Sequence, residues 1–201
     1  VAWQSQQKFS LLGEQTLKLW WVDLNGDGLR DLVEQTNEGL NAWFVALNAG
    51  EYSFTSLLNF PNITAGQQVD GWINIDWDGD GQLDPVAWSS GAGSAQSYLR
   101  WYQQDGATWT AVPLIDESAL PSPLLDVLTV DLDLDNIPEL LCVSPDEVVS
   151  LESKNGTLGV DIPPLPTIAN ASSTIDRVIV ADYDRDGDED LLFALSVEGP
   201  A

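Results

Sequence analysis

Short apolar, β-prone runs bounded by turn residues recur along this chain, and runs of that kind predict buried strands. They come in pairs. Leu19-Trp-Trp-Val22 pairs with Leu32-Val33, Trp72-Ile-Asn-Ile75 with Pro85-Val-Ala-Trp88, Val127-Leu-Thr-Val130 with Leu140-Leu-Cys-Val143, and Val178-Ile-Val-Ala181 with Leu191-Leu-Phe-Ala-Leu195. An acidic nine-residue loop joins the members of each pair, so each loop is predicted to connect two strands.

Further runs follow each pair. In the first unit they are Asn41-Ala-Trp-Phe-Val-Ala-Leu47, a turn at Asn48-Ala-Gly50, and Tyr52-Ser-Phe-Thr-Ser-Leu-Leu58. In the second they are Tyr98-Leu-Arg-Trp-Tyr102, a turn at Asp105-Gly106, and Thr108-Trp-Thr-Ala-Val112. The third has Glu147-Val-Val-Ser-Leu151, an Asn155-Gly156 hairpin turn, and Thr157-Leu-Gly-Val160. Each unit therefore reads as four strands, with proline-bearing joints at Pro61, Pro121-Ser-Pro123 and Pro163 to Pro166. The loops start at residues 23, 76, 131 and 182, which are 53, 55 and 51 residues apart. A period near fifty with strand signals throughout predicts a repeated sheet unit of the propeller-blade kind.

The loops carry the chemistry. They read DLNGDGLRD from Asp23, DWDGDGQLD from Asp76, DLDLDNIPE from Asp131 and DYDRDGDED from Asp182. Side-chain oxygens stand at loop positions 1, 3, 5 and 9 in every copy. The sets are Asp23, Asn25, Asp27, Asp31; Asp76, Asp78, Asp80, Asp84; Asp131, Asp133, Asp135, Glu139; and Asp182, Asp184, Asp186, Asp190. Position 7, which is Leu29, Gln82, Ile137 or Asp188, is free to offer its main-chain carbonyl. A hard cation of calcium's size takes six to eight such oxygens, and alternate residues of a loop face one centre only if the chain turns sharply midway. Position 6 makes the turn, as Gly28, Gly81 and Gly187, with Asn136 in the third copy. About four Ca²⁺ are expected.

Two other readings of the loops fit less well. Solvated acidic turns use the same residues, but four copies in register exceed what turn chemistry requires. An EF-hand needs a bidentate Glu at position 12 and flanking helices, whereas position 12 is Glu34, Ala87, Cys142 and Phe193.

Composition narrows the partners. The 201 residues suffice for one repeat domain, 1–201, with a real core, and 44% hydrophobic residues with nine Trp exclude a disordered acidic chain. The formal charge of −25 disfavours nucleic acid and anionic membranes. Four Ca²⁺ would reduce it to about −17. No apolar run reaches a membrane span, so no membrane insertion is expected. Cys142 is the only cysteine, which rules out an internal disulfide and predicts a buried structural thiol. A start at Val1 without Met or a leader pattern suggests a processed chain or a piece of a longer one.

Residues 2–12, Ala-Trp-Gln-Ser-Gln-Gln-Lys-Phe-Ser-Leu-Leu, line up with Ala42-Trp43-Phe44 and Phe54-Thr-Ser-Leu-Leu58, an outer strand pair. The fourth unit stops after its first two strands. The two half-units are complementary, and unpaired sheet edges seek partners. Pairing within one molecule closes a ring of four blades, pairing between molecules gives a head-to-tail contact, and an excerpt from a longer array also fits.

The motif D-x-[DN]-x-D-G-x-x-[DE]-hydrophobic, flanked by strands at this period, resembles the FG-GAP/VCBS repeat family over essentially the whole chain. That resemblance implies an all-β, β-propeller-like array, here of four four-stranded blades, with calcium in the loop between the first two strands of each. Family propellers usually have more blades than four, which keeps shared or filamentous assembly open.

Function is expected along three lines. The first is a calcium-stabilised extracellular structural or adhesion module, secreted or on the cell surface, with self-association, a glycan or a cell-surface protein as partner. The second is a lectin-like carbohydrate binder, since some family members bind sugars; Trp43, Trp101 and Trp109 in outer-strand segments are the candidate stacking platforms, against the reading that repeated aromatics pack blade on blade. The third, an enzyme, is disfavoured. The chain has no His, which removes imidazole catalysis, and nearly half its acids belong to the loops. Asn-x-Ser/Thr sequons at Asn62, Asn155 and Asn170 mark glycosylation candidates in turns or joints.

Overall fold

In a computed structural model, the described residues are 16–36, 43–50, 54–57, 69–91, 96–106, 108–135, 137–154, 157–159 and 173–197. They form an all-β structure of antiparallel meanders. The first sheet runs in the order β1 (Thr16–Val22), β2 (Asp31–Thr36), β3 (Trp43–Asn48), β4 (Phe54–Leu57). The second repeats it with β5 (Gly71–Ile75), β6 (Asp84–Ser89), β7 (Tyr98–Asp105) and β8 (Thr108–Pro113). In the third, β9 (Asp126–Val130), β10 (Glu139–Val143), β11 (Val148–Lys154) and β12 (Thr157–Gly159) do the same. The last sheet, as described, has two strands, β13 (Ser173–Ala181) and β14 (Asp190–Val197). Residues 2–12, expected to supply outer strands, lie outside the described residues, as do most of the first and third joints. The second joint carries a 3₁₀ turn at Glu117–Ala119, capped by Asp116, which the strand pattern did not announce.

One register rule places the loops. The residue before each loop pairs with loop position 9: Val22 with Asp31, Ile75 with Asp84, Val130 with Glu139, Ala181 with Asp190. The last side-chain oxygen of each loop is thus fixed to the rung that closes it.

Successive sheets stack face to face. The first strands are neighbours from sheet to sheet, β1 beside β5, β5 beside β9 and β9 beside β13. Apolar residues fill the gaps between them. Val22, Leu24 and Val33 meet Val69, Ala87 and Tyr98 between the first two sheets, and Trp77, Val86 and Leu99 meet Val127, Leu140 and Cys142 between the next two. Val143 meets Ile175 and Val178 between the third and fourth. Strand alternation explains the arrangement, because each sheet offers one set of side chains to the sheet before it and the other to the sheet after. Within the second sheet, Gly71 makes room for the ring of its cross-strand partner Trp88, since a Cβ there would lie 2.3 Å from Trp88 Nε1.

Candidate metal centres

Each loop folds by the same local hydrogen bonds. The position-9 carboxylate accepts the position-2 N–H in all four: Leu24 to Asp31 at 2.9 Å, Trp77 to Asp84 at 2.9 Å, Leu132 to Glu139 at 2.7 Å, Tyr183 to Asp190 at 2.8 Å. Position 3 accepts from the position-5 N–H, at 3.2 Å in loop 1, 3.1 Å in loop 2 and 3.2 Å in loops 3 and 4. Position 5 accepts from position 7, the N–H of Leu29, Gln82 and Ile137 at 2.8 Å and of Asp188 at 3.0 Å. In loops 1 and 2 the first Asp also accepts two amides, from Gly26 and Gly28 and from Gly79 and Gly81. These short-range bonds curl the side chains toward one centre.

Two turns, rather than the expected one, make the curl. Position 6 has positive φ at Gly28 (82°), Gly81 (86°) and Gly187 (103°), as expected; Asn136 lies outside the described residues. Position 4 is left-handed too, at Gly26 (71°), Gly79 (75°), Leu134 (60°) and Arg185 (66°). The last two carry a Cβ into that region, at a cost of about 1–2 kcal/mol each.

The loops differ in how far their oxygens converge. Asp131, Asp133, Asp135 and Glu139 each bring a carboxylate oxygen within 4.8 Å of the others; Asp76, Asp78 and Asp84 do so in loop 2, and Asp182, Asp184 and Asp190 in loop 4. Asp80 and Asp186 stand outside those sets; like Asp135, each accepts the position-7 N–H. Loop 1 offers no such all-carboxylate set, since Asn25 stands at position 3; Asp27 Oδ2 accepts the Asn25 amide at 3.0 Å, and Asp31 accepts the N–H of Leu24 and, at 2.7 Å, that of Asn48.

Glu139 tests whether the donors suit a cation. It is fully buried, its Oε2 takes the Leu132 amide, and its Oε1 has no hydrogen-bond partner among the described residues. Burying a carboxylate oxygen unpaired is costly. An all-oxygen set that gathers this buried carboxylate with those of Asp131, Asp133 and Asp135 fits a hard divalent cation.

Without a cation these carboxylates resist ionisation. Burial pushes Asp31, Asp84 and Glu139 above the usual carboxylate range; nearby charge adds to it, from Asp27 and Asp23, from Asp78, and from Asp133 and Asp131 respectively. Asp188 is also raised, by desolvation and then by Asp186, Asp182, Asp184 and Asp190. A group raised on folding stabilises the fold below its unfolded pKa and loses that contribution as pH rises through the folded pKa. Asp70 acts in the opposite sense: burial raises it, but bonds from Lys18 and Ser90 outweigh burial and hold it low. The raised groups outnumber it. Metal-free protein is therefore expected to show a falling urea midpoint as pH rises from about 4 toward 7. In saturating calcium the trend reverses, since protons then compete with the cation.

Contacts between sheets also hold the loops. The Asn74 amide brackets Asp23, accepting its N–H at 3.2 Å and donating to its carbonyl at 2.6 Å. Glu189 accepts the Asp131 N–H at 3.2 Å. Lys18 pairs with Asp70 at 2.6 Å. Sequence reasoning missed Asn74 and Glu189, which act across sheets. It also missed loop position 2, where Leu24 and Trp77 are driven into the core at 2% exposure each; the large side chain there in every copy was the available signal.

The aromatic candidates separate. Trp109 is 5% exposed inside the first intersheet cluster and presents no open face to a sugar. Trp101 packs partly against the second cluster and also lines a cleft of about 330 Å³ with Asn25, Gln82, Gln103, Gln104 and Asp105. The Trp43 side chain and the sequons at Asn62, Asn155 and Asn170 lie outside the described residues. Cys142 is buried, with its thiol pushed up to about 12.

The fold and loops together define a class: an all-β repeat protein whose successive sheets each begin with an acidic loop between their first two strands. Within that class the chain belongs to the FG-GAP-like repeat family, whose model matches three times, at residues 23–86, 76–142 and 131–193. Each match begins at the first Asp of a loop and ends inside the second strand of the following sheet, so the matches take in all four loops. No match was found among curated proteins. Among the described residues, no helix is long and apolar enough to cross a membrane.

Proposed function

We propose that this chain is a calcium-stabilised extracellular structural or adhesion module without catalytic activity. The observation that carries the reading is the third loop, where four carboxylates converge and one oxygen of the buried Glu139 has no hydrogen-bond partner among the described residues. Family membership supports an extracellular setting, and the charge of −25 supports a need for cations.

Bound calcium would supply positive charge and cross-link the first two strands of each sheet. The ligands fall to the residues at loop positions 1, 3, 5 and 9, with the carbonyls of Leu29, Gln82, Ile137 and Asp188. Position 9 ties the ion to the closing rung, and position 2 ties the same loop to the core. Nothing in this design consumes the ion or moves a proton. The buried, protonated Cys142 is a poor nucleophile, which agrees with a passive role.

Replacing Glu139 with Gln tests the reading. It keeps the shape and removes one anionic ligand, so calorimetric titration should show one of the calcium sites weakened about tenfold or more, the others unchanged. Unaltered binding at every site would sink the assignment of Glu139. Carbohydrate recognition is the second reading. It is favoured by the cleft that joins the Trp101 ring to the side-chain amides of Gln103 and Gln104.

A further inference from the structure

Loops 1 and 2 differ in one side-chain ligand. Asn25 stands where loop 2 has Asp78, and each is followed by glycine. Around that position the two loops share their bonding. Gly26 and Gly79 have φ of 71° and 75°, and each donates its N–H to the first Asp of its loop at 2.9 Å. Position 3 accepts the position-5 N–H at 3.2 Å in loop 1 and 3.1 Å in loop 2. Loop 1 is thus already built as loop 2 is, and an aspartate at position 25 fits it.

Asn-Gly is also the dipeptide in which a side-chain amide is most readily lost, because glycine has no Cβ to obstruct its own nitrogen. Among the described residues Asn25 is the asparagine so placed, since Asn48 precedes Ala49 and Asn74 precedes Ile75. The Gly26 N–H is donated to Asp23 Oδ1 at 2.9 Å, within the reach of about 2.6–3.2 Å that a general base needs. The Asn25 side chain is tethered to Asp27 by two solvent-exposed hydrogen bonds of 3.0 and 3.2 Å, and breaking such a bond costs about 1 kcal/mol. Asn25 and Gly26 both line the cleft of about 330 Å³ beside loop 2, which admits water to them.

We propose that Asn25 is a site of self-modification that gives loop 1 the carboxylate set of loop 2. The Gly26 nitrogen passes its proton to Asp23 and attacks Asn25 Cγ, forming a five-membered cyclic imide. The former side-chain nitrogen takes up that proton and leaves as ammonia. Water then opens the imide. Cleavage between Cγ and nitrogen restores the main chain and leaves an aspartate at position 25, so amide plus water has become carboxylate plus ammonium. Cleavage at the main-chain carbonyl instead routes the chain through Cγ, which adds a methylene to the loop and displaces the carboxylate from the ligand position. The aspartate product carries carboxylates at positions 1, 3, 5 and 9; in loop 2, Asp78 at position 3 converges with Asp76 and Asp84. The gain in calcium binding rests on the structural-module reading, whereas the reaction does not.

Peptide mapping by mass spectrometry tests the reaction on folded, metal-free protein held for weeks in warm neutral buffer. Tryptic peptide 19–30, whose one asparagine is Asn25, should gain one mass unit, and three in water labelled with heavy oxygen. Peptide 31–100, which carries Asn48 and Asn74 and has no Asn-Gly, should not change; Asn155-Gly156, outside the described residues, falls on a separate peptide. Asp23→Asn should slow the conversion about tenfold or more, and Asp76→Asn should leave its rate unaltered. Peptide 19–30 unchanged in the folded protein while the urea-unfolded chain converts, or conversion indifferent to Asp23→Asn, would overturn the proposal. Calorimetric titration of Asn25→Asp reads the consequence: one calcium site should tighten about tenfold, and binding equal to wild type at every site would contradict it. Absence of calcium binding by both proteins would remove the calcium reading and leave the mass result standing.

Discussion

Chelation lowers the melting midpoint of this protein by roughly 10 to 20 °C. The size follows from mass action. Extracellular calcium modules bind at about 0.1–1 mM, and at ten times Kd each site adds about 1.4 kcal/mol. Four independent sites then contribute about 5 to 6 kcal/mol, comparable to the whole stability of an ordinary domain. The metal-free state is strained as well as unsupported, because Asp31, Asp84 and Glu139 are held where burial opposes their charge. Thermal denaturation followed by circular dichroism, in millimolar calcium and again in excess chelator, measures the shift. A difference of only a degree or two would mean that the loops are ordinary acidic turns.

Truncating Trp77 to Ala costs about 3–5 kcal/mol of unfolding free energy, in calcium and in chelator alike. Trp77 is loop position 2, yet it is 2% exposed among Trp88, Leu99, Leu120, Leu124 and Val127. Its N–H is donated to Asp84, so one residue joins the second loop to the core between the second and third sheets. Removing the ring leaves a cavity at the joint of two sheets, and no cation can refill it. Urea titrations under both conditions give the value. A loss below about 1 kcal/mol would show that the ring is not wedged between the sheets.

Chemistry that is local in the chain was legible before any coordinates. Oxygens at positions 1, 3, 5 and 9 and a glycine at position 6 declare themselves by spacing alone, and the four-strand meander follows from apolar runs separated by turns. Effects that act across sheets were not legible. Asn74 sits in the middle of a strand, and nothing near it announces that its amide will bracket Asp23 of the previous sheet. Leu134 and Arg185 hide the left-handed turn at position 4, because neither side chain prefers the conformation the loop imposes. Trp109 was open to a sugar-stacking reading as well as the favoured packing one, since a strand places alternate residues on opposite faces; only the stacking of sheets shows that its ring lies inside.

The interfaces follow the same division. Alternation fixes which residues share a face, but the partner of each face depends on how sheets stack. Trp72, Val127 and Val178, for example, read as ordinary strand residues in the sequence, and only the stacking of sheets shows that each packs against the sheet before it.

Counting bound calcium tests the central claim most directly. Equilibrium dialysis against millimolar calcium, with the chain quantified by its tryptophan absorbance, should give about four ions per chain, falling to about three when Glu139→Gln weakens the third loop. Absence of saturable binding at millimolar calcium would contradict the account, since the convergent carboxylates of loops 2, 3 and 4 would then have to be held together by the fold alone.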